Sequence, residues 1–282
     1  MRLTITGADG QLGHELQAAF QDDSIVPLVW PAFDVLKPDA ESQILATEPD
    51  VVIHAAAYTN VDQAEKEPDV AMAVNADGTA RVARAAAHAG ARLLYISTDY
   101  VFDGTKRSPY DETDEPKPLN VYGRSKLEGE RHALASCKRT LVVRTSWLYG
   151  LHGANFVKSI MRFARERSEL QVVDDQRGSP THAGDLAAVL EQFVKKNVYG
   201  IAHAAGGGDC TWHELASEIV ARMGLTIPVR PISTAEAHRL AARPAYSVLG
   251  NRVLAQEGLS VPHWKTAVAR FVEEQKKATS EA

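Results

Sequence analysis

The sequence predicts an α/β protein built on a doubly wound parallel sheet, and three observations carry that expectation. Short apolar runs alternate with segments of helical period through the first half of the chain. The connections between them are short, as in βαβ units. A glycine-spaced turn, Gly7-Ala-Asp-Gly10-Gln-Leu-Gly13, falls between the first apolar run and the first helical segment.

In chain order, residues 3–6 are a β-prone run ending at Gly7, after which Glu15, Leu16, Ala19 and Phe20 keep helical spacing. Residues 25–29 predict a second strand and 42–47 a helix. Residues 50–54 predict a third strand, whose apolar centre Val51-Val52-Ile53 suits burial on both faces. An alanine-rich helix over 70–89 is closed by Gly90. A fourth strand at 92–97, a helix at 125–137 and a fifth strand at 139–144 complete a Rossmann-like half.

After Ser146 the alternation loosens. A basic helix is expected over 155–167, a strand at 170–173, a helix at 183–195 and, at 200–205, a strand that rejoins the first sheet. Thr211 is placed to cap a helix over 211–223. A short strand at 228–231 and an amphipathic helix at 265–277 follow, with the last five residues frayed. The expected division is a dinucleotide-binding domain of 1–150 with returning segments near 170–205, and a smaller C-terminal substrate lobe of 151–170 and 206–282.

The chain has 282 residues and a net charge of −5, which gives no basic footprint for nucleic acid or an anionic membrane surface. Cys137 and Cys210 are the only cysteines and form no CxxC pair, which argues against a disulfide framework or zinc site and for a reducing compartment. No apolar run reaches the roughly 18 residues of a membrane span, and too few residues precede Gly7 for a signal peptide. A soluble, cytoplasmic protein is expected.

The chemistry-bearing residues follow the strands. Gly7, Gly10 and Gly13 sit where a dinucleotide turn needs them, so that the backbone approaches a pyrophosphate at a helix N-terminus; a bare tight turn is the competing reading. The acid that commonly grips the adenosine ribose is missing from the end of the second strand, which reads Leu28-Val29-Trp30-Pro31. Asp34 comes a few residues late, suited to the adenine edge or equally to a turn, and NADPH and NADH stay open. Small residues after the third strand, Ala55-Ala56-Ala57, leave room for a ligand or for close helix packing, whereas Asp62 and Glu65 read as helix-start acids without chemistry. At the fourth strand's end, Ser97-Thr98-Asp99-Tyr100-Val101-Phe102 offers a hydroxyl to a carbonyl oxygen gathering negative charge, or makes a local turn before Asp103-Gly104. Tyr122 and Lys126 stand one helical turn apart in Tyr-Gly-Arg-Ser-Lys, where an ammonium would favour the phenolate and lower the tyrosine pKa.

Together, Gly7-x-x-Gly10-Gln-Leu-Gly13, Ala55-Ala-Ala-Tyr-Thr-x-Val-Asp62-x-Ala-Glu65, Ser97-Thr-Asp-Tyr-Val-Phe102 and Tyr122-Gly-Arg-Ser-Lys126 resemble the extended short-chain dehydrogenase/reductases. Arg144-Thr-Ser-Trp147, Asp175-Gln-Arg-Gly-Ser-Pro-Thr181 and Arg243-Pro-Ala-Tyr-Ser-Val-Leu249 narrow the resemblance to the dTDP-4-dehydrorhamnose reductase family, over nearly the whole chain. The resemblance implies a dTDP-sugar substrate reduced at C4 with NADPH, or NADH, toward dTDP-L-rhamnose for surface polysaccharide. It implies Tyr122 as proton donor, Lys126 on the nicotinamide ribose and Thr98 on the reacting oxygen. It places Asp99 and Trp147 at the sugar, although Trp147 also suits a buried core, and lines the dinucleotide with Gly10, Gln11, Leu12, Asp34, Val35, Ala57, Tyr58 and Thr59. Asn155, Arg243 and Ser247 fit a diphosphate or nucleoside site, or serve as caps and surface residues. Some family members are described as magnesium-bridged dimers; Gly184 stands where an acid is common, so no metal is expected, and a monomer or homodimer both fit. Two rival readings are another sugar-nucleotide 4-ketoreductase or epimerase, and a catalytically silent NADP-binding regulatory subunit such as that of methionine adenosyltransferase.

Overall fold

The computed structural model of the chain describes residues 1–280. The first half runs β1 (Arg2–Thr6), α1 (Gln11–Ala19), β2 (Ser24–Leu28), α2 (Ala40–Leu45), β3 (Val51–His54), α3 (Val61–Lys66), α4 (Pro68–Met72), α5 (Thr79–His88), β4 (Arg92–Thr98), α6 (Val121–Ser136) and β5 (Thr140–Thr145). The second runs β6 (Leu148–Tyr149), α7 (Phe156–Glu166), β7 (Leu170–Val173), β8 (Arg177–Gly178), β9 (Thr181–His182), α8 (Ala183–Lys196), β10 (Gly200–His203), β11 (Cys210–Thr211), α9 (Trp212–Arg222), β12 (Val229–Ile232), α10 (Arg252–Gln256) and α11 (Trp264–Ser280).

Six strands form one parallel sheet in the order β10-β5-β4-β3-β1-β2. Strand periodicity sorts its side chains onto two faces. Val51 and Ile53 join Leu3, Ile5 and the apolar stripes of α1 and α8 on one face. Val52 joins Leu93, Tyr95 and residues of α2, α5 and α6 on the other. Strand order reverses at β1, so a crevice opens beyond the carboxyl ends of β1 and β3, where such sheets hold ligands. A second core lies under α7, α9 and α11 and includes Ile160, Ile219, Val268 and Phe271.

Four elements depart from expectation in instructive ways. The helix expected over 70–89 starts earlier, with Pro68 at its first turn, and residues 73–78 are π-helical between α4 and α5. The helix expected from 125 starts at Val121, because the Asn120 side chain accepts from the Gly123 amide at 2.7 Å and caps it. The main sheet does regain β10 beside β5, but residues 170–173 do not return to it; they pair with β12 in a separate two-stranded sheet. Finally, α11 continues through residue 280, past the point where fraying was expected, and residues 281–282 lie outside the described residues. Cys137 and Cys210 are both buried and free.

Candidate active site

The carboxyl ends of β1, β3, β4 and β5 face one cleft of about 850 Å³. Its wall carries the turn residues Gly7, Gly10, Gln11, Leu12 and Gly13, then Asp34 and Val35 after β2, then Ala57, Tyr58 and Thr59 after β3. The same wall carries Thr98 and Asp99 at the end of β4, Tyr122 and Lys126 on α6, and Trp147 after β5.

The three glycines divide the work of the turn. Gly7 has φ +67°, and a Cβ there would stand 2.7 Å from the Ala56 amide nitrogen. A Cβ on Gly13 would stand 2.3 Å from the Gly7 carbonyl oxygen. Gly10, by contrast, would meet only that oxygen, at 3.1 Å, and it starts α1 without any side-chain cap. The first amides of α1 are therefore left for an anion from the cleft, which is what a pyrophosphate requires. At the β2 end of the cleft, Asp34 accepts from the Leu36 amide at 2.9 Å, the turn reading, while still lining the cleft. Trp30 is 72% exposed and lines the same end. Among the lining residues Lys126 is the sole lysine or arginine.

Burial dominates the electrostatics of the cluster formed by Thr98, Asp99, Tyr122 and Lys126. It pushes the Tyr122 phenol up to about 12; a hydrogen bond with Thr98 works against this, and the Asp99 charge adds to it. The direction is opposite to the lowering expected from a neighbouring ammonium, and desolvation of the phenolate is its largest cause. Burial also brings Lys126 down to about 7, opposed by the charge of Glu130. Its ammonium lies 4.2 Å from the centre of the Tyr95 ring. Asp99 is raised to about 7 by burial, against hydrogen bonds from Ser247 and Thr98. One of its carboxyl oxygens, Oδ2, is buried without a partner.

The matching family model is the RmlD substrate binding domain, over residues 1–277. The chain belongs to this family. It is 44% identical to dTDP-4-dehydrorhamnose reductase of Mycobacterium tuberculosis, covering 95% of this chain and 91% of that one. It is 37% identical to the spore coat polysaccharide biosynthesis protein SpsK of Bacillus subtilis, covering 98% and 99%. The crystal structure of dTDP-4-dehydrorhamnose reductase from Bacillus anthracis in complex with NADP superposes with a TM-score of 0.94 at 42% identity, covering 97% of this chain and 99% of that one.

Several contacts of the chain are not disclosed by its sequence. The π-helical turn aims Asn75 at the Ala57–Tyr58–Thr59 segment: its amide donates to the Tyr58 carbonyl at 3.0 Å and to Ser125 Oγ at 2.9 Å, and its oxygen accepts from the Tyr58 amide at 2.8 Å. One side chain thus ties the β3 loop to the Tyr-Gly-Arg-Ser-Lys helix. Behind Lys126, Arg144 and Glu130 make a fully buried two-pronged ion pair at 2.9 and 2.7 Å, and Ser97 donates to the same carboxylate. Asp62 and Glu65 are more than helix-start acids. Asp62 receives both terminal nitrogens of Arg243 at 3.0 and 2.9 Å, and Glu65 accepts from the Val121 amide at 2.7 Å where α6 begins. Arg243, Asn155 and Ser247 do not line the cleft. Asn155 caps α7 and donates to Gln11 Oε1 at 2.8 Å, while Ser247 serves Asp99. These partners are far apart in sequence, and no local spacing announces them.

Around Gly184, Arg270 donates to Asp185 at 2.6 and 2.7 Å. A Cβ on Gly184 would stand 3.0 Å from His182 and 3.2 Å from Glu15. Among the described residues no three histidine, cysteine or acidic side chains are grouped to hold a metal ion. No described helix is long and apolar enough to cross a membrane.

Proposed function

We propose that this chain reduces the C4 carbonyl of dTDP-4-dehydro-β-L-rhamnose to give dTDP-L-rhamnose, with NADPH as reductant. The observation that carries the reading is the meeting of Thr98, Tyr122 and Lys126 in one cleft with the uncapped N-terminus of α1. Bound in that cleft, NADPH supplies the hydride that the carbonyl carbon accepts. The α1 amides and Gly10 would hold its pyrophosphate, and Lys126 would bond the nicotinamide ribose. A phenol whose pKa stands near 12 is fully protonated at neutral pH, so Tyr122 carries the proton that the C4 oxygen takes up. The Thr98 hydroxyl donates to the same oxygen as its charge grows. The Lys126 ammonium then favours the phenolate that remains. Asp99 and Trp147 border the sugar.

The division of labour follows the packing: a dinucleotide-binding domain of residues 1–150 with the returning α8 and β10, and a substrate lobe built around α7, α9 and α11. We place the enzyme in the cytoplasm, as a monomer or homodimer, without nucleic-acid or membrane partners. With Trp30 at the end of β2, and no arginine lining that end, NADH is admitted as a second donor. The test is NADPH absorbance with the purified protein, with and without the keto sugar nucleotide, followed by identification of the product sugar. Oxidation yielding dTDP-L-rhamnose supports the reading. Binding of NADPH without turnover on any 4-keto sugar nucleotide would replace it with a regulatory role, and turnover to a different sugar with a related reductase.

A further inference from the structure

Two indoles stack at the junction of the sheet and the second lobe. Trp147, just beyond β5, and Trp212, the first residue of α9, have ring centroids 3.4 Å apart and planes within 6° of parallel. Both line the cleft. Trp147 has φ +47°, a left-handed conformation that a bulky residue adopts only when its surroundings hold it there. Those surroundings are visible. Phe156 packs against the Trp212 ring at 4.5 Å. Trp212 Nε1 donates to Gln176 Oε1 at 3.2 Å, and the buried Gln176 amide donates to Thr234 at 2.8 Å. Gly178 leaves the space Trp147 needs, because a Cβ there would lie 2.5 Å from the indole.

We propose that Trp212 is the positioning residue of the sugar subsite: its indole, fixed by Phe156 and Gln176, holds the strained Trp147 as the wall against which the sugar is placed. This rests on the reading of Trp147 as a sugar-contacting residue. Stacking is sensitive to the face presented, so an aromatic ring at residue 212 serves where an aliphatic of similar bulk does not. Since α9 belongs to the second lobe and Trp147 follows a strand of the main sheet, the pair also links the sugar wall to the packing of that lobe.

The experiment compares Trp212→Phe, Trp212→Leu and Trp147→Ala with the wild type, measuring KM for the keto sugar nucleotide, KM for NADPH, kcat, melting temperature and the near-ultraviolet circular dichroism of the coupled indoles. Trp212→Leu is expected to lose the indole signal and raise the sugar KM about tenfold, equivalent to about 1.4 kcal/mol. Its KM for NADPH should stay unchanged. Trp212→Phe is expected to recover most of the sugar KM, which a purely space-filling role for Trp212 does not predict. A folded Trp212→Leu with wild-type sugar KM would overturn the proposal, as would equal defects in Leu and Phe. Should the leucine variant not fold, a Phe variant that folds with a tenfold higher sugar KM would overturn it too, and one with near-wild-type KM would uphold it. Trp147→Ala separates the two layers. If it raises the sugar KM while both Trp212 variants do not, only the positioning role fails; if it leaves that KM unchanged, the reading of Trp147 itself fails.

Discussion

The Lys126 ammonium rests over the face of Tyr95, 4.2 Å from the ring centre, and Glu130 follows one turn later on α6. The ring is buried between strands and helix, so the lysine is held by an aromatic face rather than by a direct carboxylate contact. With its pKa near 7, Lys126 is charged below neutrality and loses charge above it. NADPH affinity in the wild type is therefore expected to fall as pH rises through about 7. In Lys126→Met, affinity should be weaker and lose that dependence, and kcat should drop by more than binding explains. Isothermal titration across pH, with kcat measured on the same preparations, checks both; an unchanged pH profile in the variant rules out the charge as the ligand.

Tyr122→Phe removes the phenolic proton and little else, since Tyr122 sits at the capped first turn of α6. Turnover should fall by about 10² to 10⁴-fold, with NADPH binding and melting temperature near wild type. Steady-state kinetics decide: a wild-type kcat would remove Tyr122 as the acid.

Asp99 gives a stability signature. Its folded pKa is raised to about 7 from an ordinary 3.8. Between those values the folded state keeps a proton that the unfolded state releases, so stability falls as pH rises through this window and then levels. Asp99→Asn should abolish the fall and leave the variant more stable than wild type at pH about 8, by an amount on the order of 1–3 kcal/mol. Urea midpoints at acidic and alkaline pH measure it; parallel curves for the two proteins would contradict the assignment.

Gly10→Val should weaken dinucleotide binding while leaving the second lobe intact. A branched side chain there holds a pyrophosphate away from the first amides of α1, and within the protein it meets only the Gly7 carbonyl. Fluorescence titration with NADPH is the measurement, and wild-type affinity is the outcome that would refute this role for the turn.

Activity is expected to persist in EDTA. Asp185 is committed to Arg270, and Gly184 contributes no carboxylate beside Glu15 and His182. Turnover and native mass should both be unchanged by the chelator. Loss of the two together, restored by Mg²⁺, would show a bridging ion.

What the sequence disclosed was what local spacing encodes. The glycine turn, the buried strands and the one-turn interval from Tyr122 to Lys126 are periodicities, and the cleft contains every residue they nominated. The π-helical turn was hidden because an alanine-rich run has the same composition whether its amides reach four residues back or five. Asp62 carries no local signal of its role, because its partner, Arg243, lies across the chain. The Tyr122 pKa runs the other way because a sequence gives the neighbour, Lys126, but not the burial that raises the phenol. Trp212 was legible only as the residue after a capping threonine; its stacking partner lies in a different element.

The late return of β10 has a consequence for synthesis. The outer edge of β5 is covered by residues 200–203, and the α1 face of the sheet by α8, both made well after the first five strands. A nascent chain that has just emitted β5 therefore exposes an unpaired strand edge and an apolar sheet face. The first half should need a chaperone or the arrival of residue 203 to avoid association on the ribosome, and a gene cut after residue 150 should give an insoluble product although it retains the whole glycine turn.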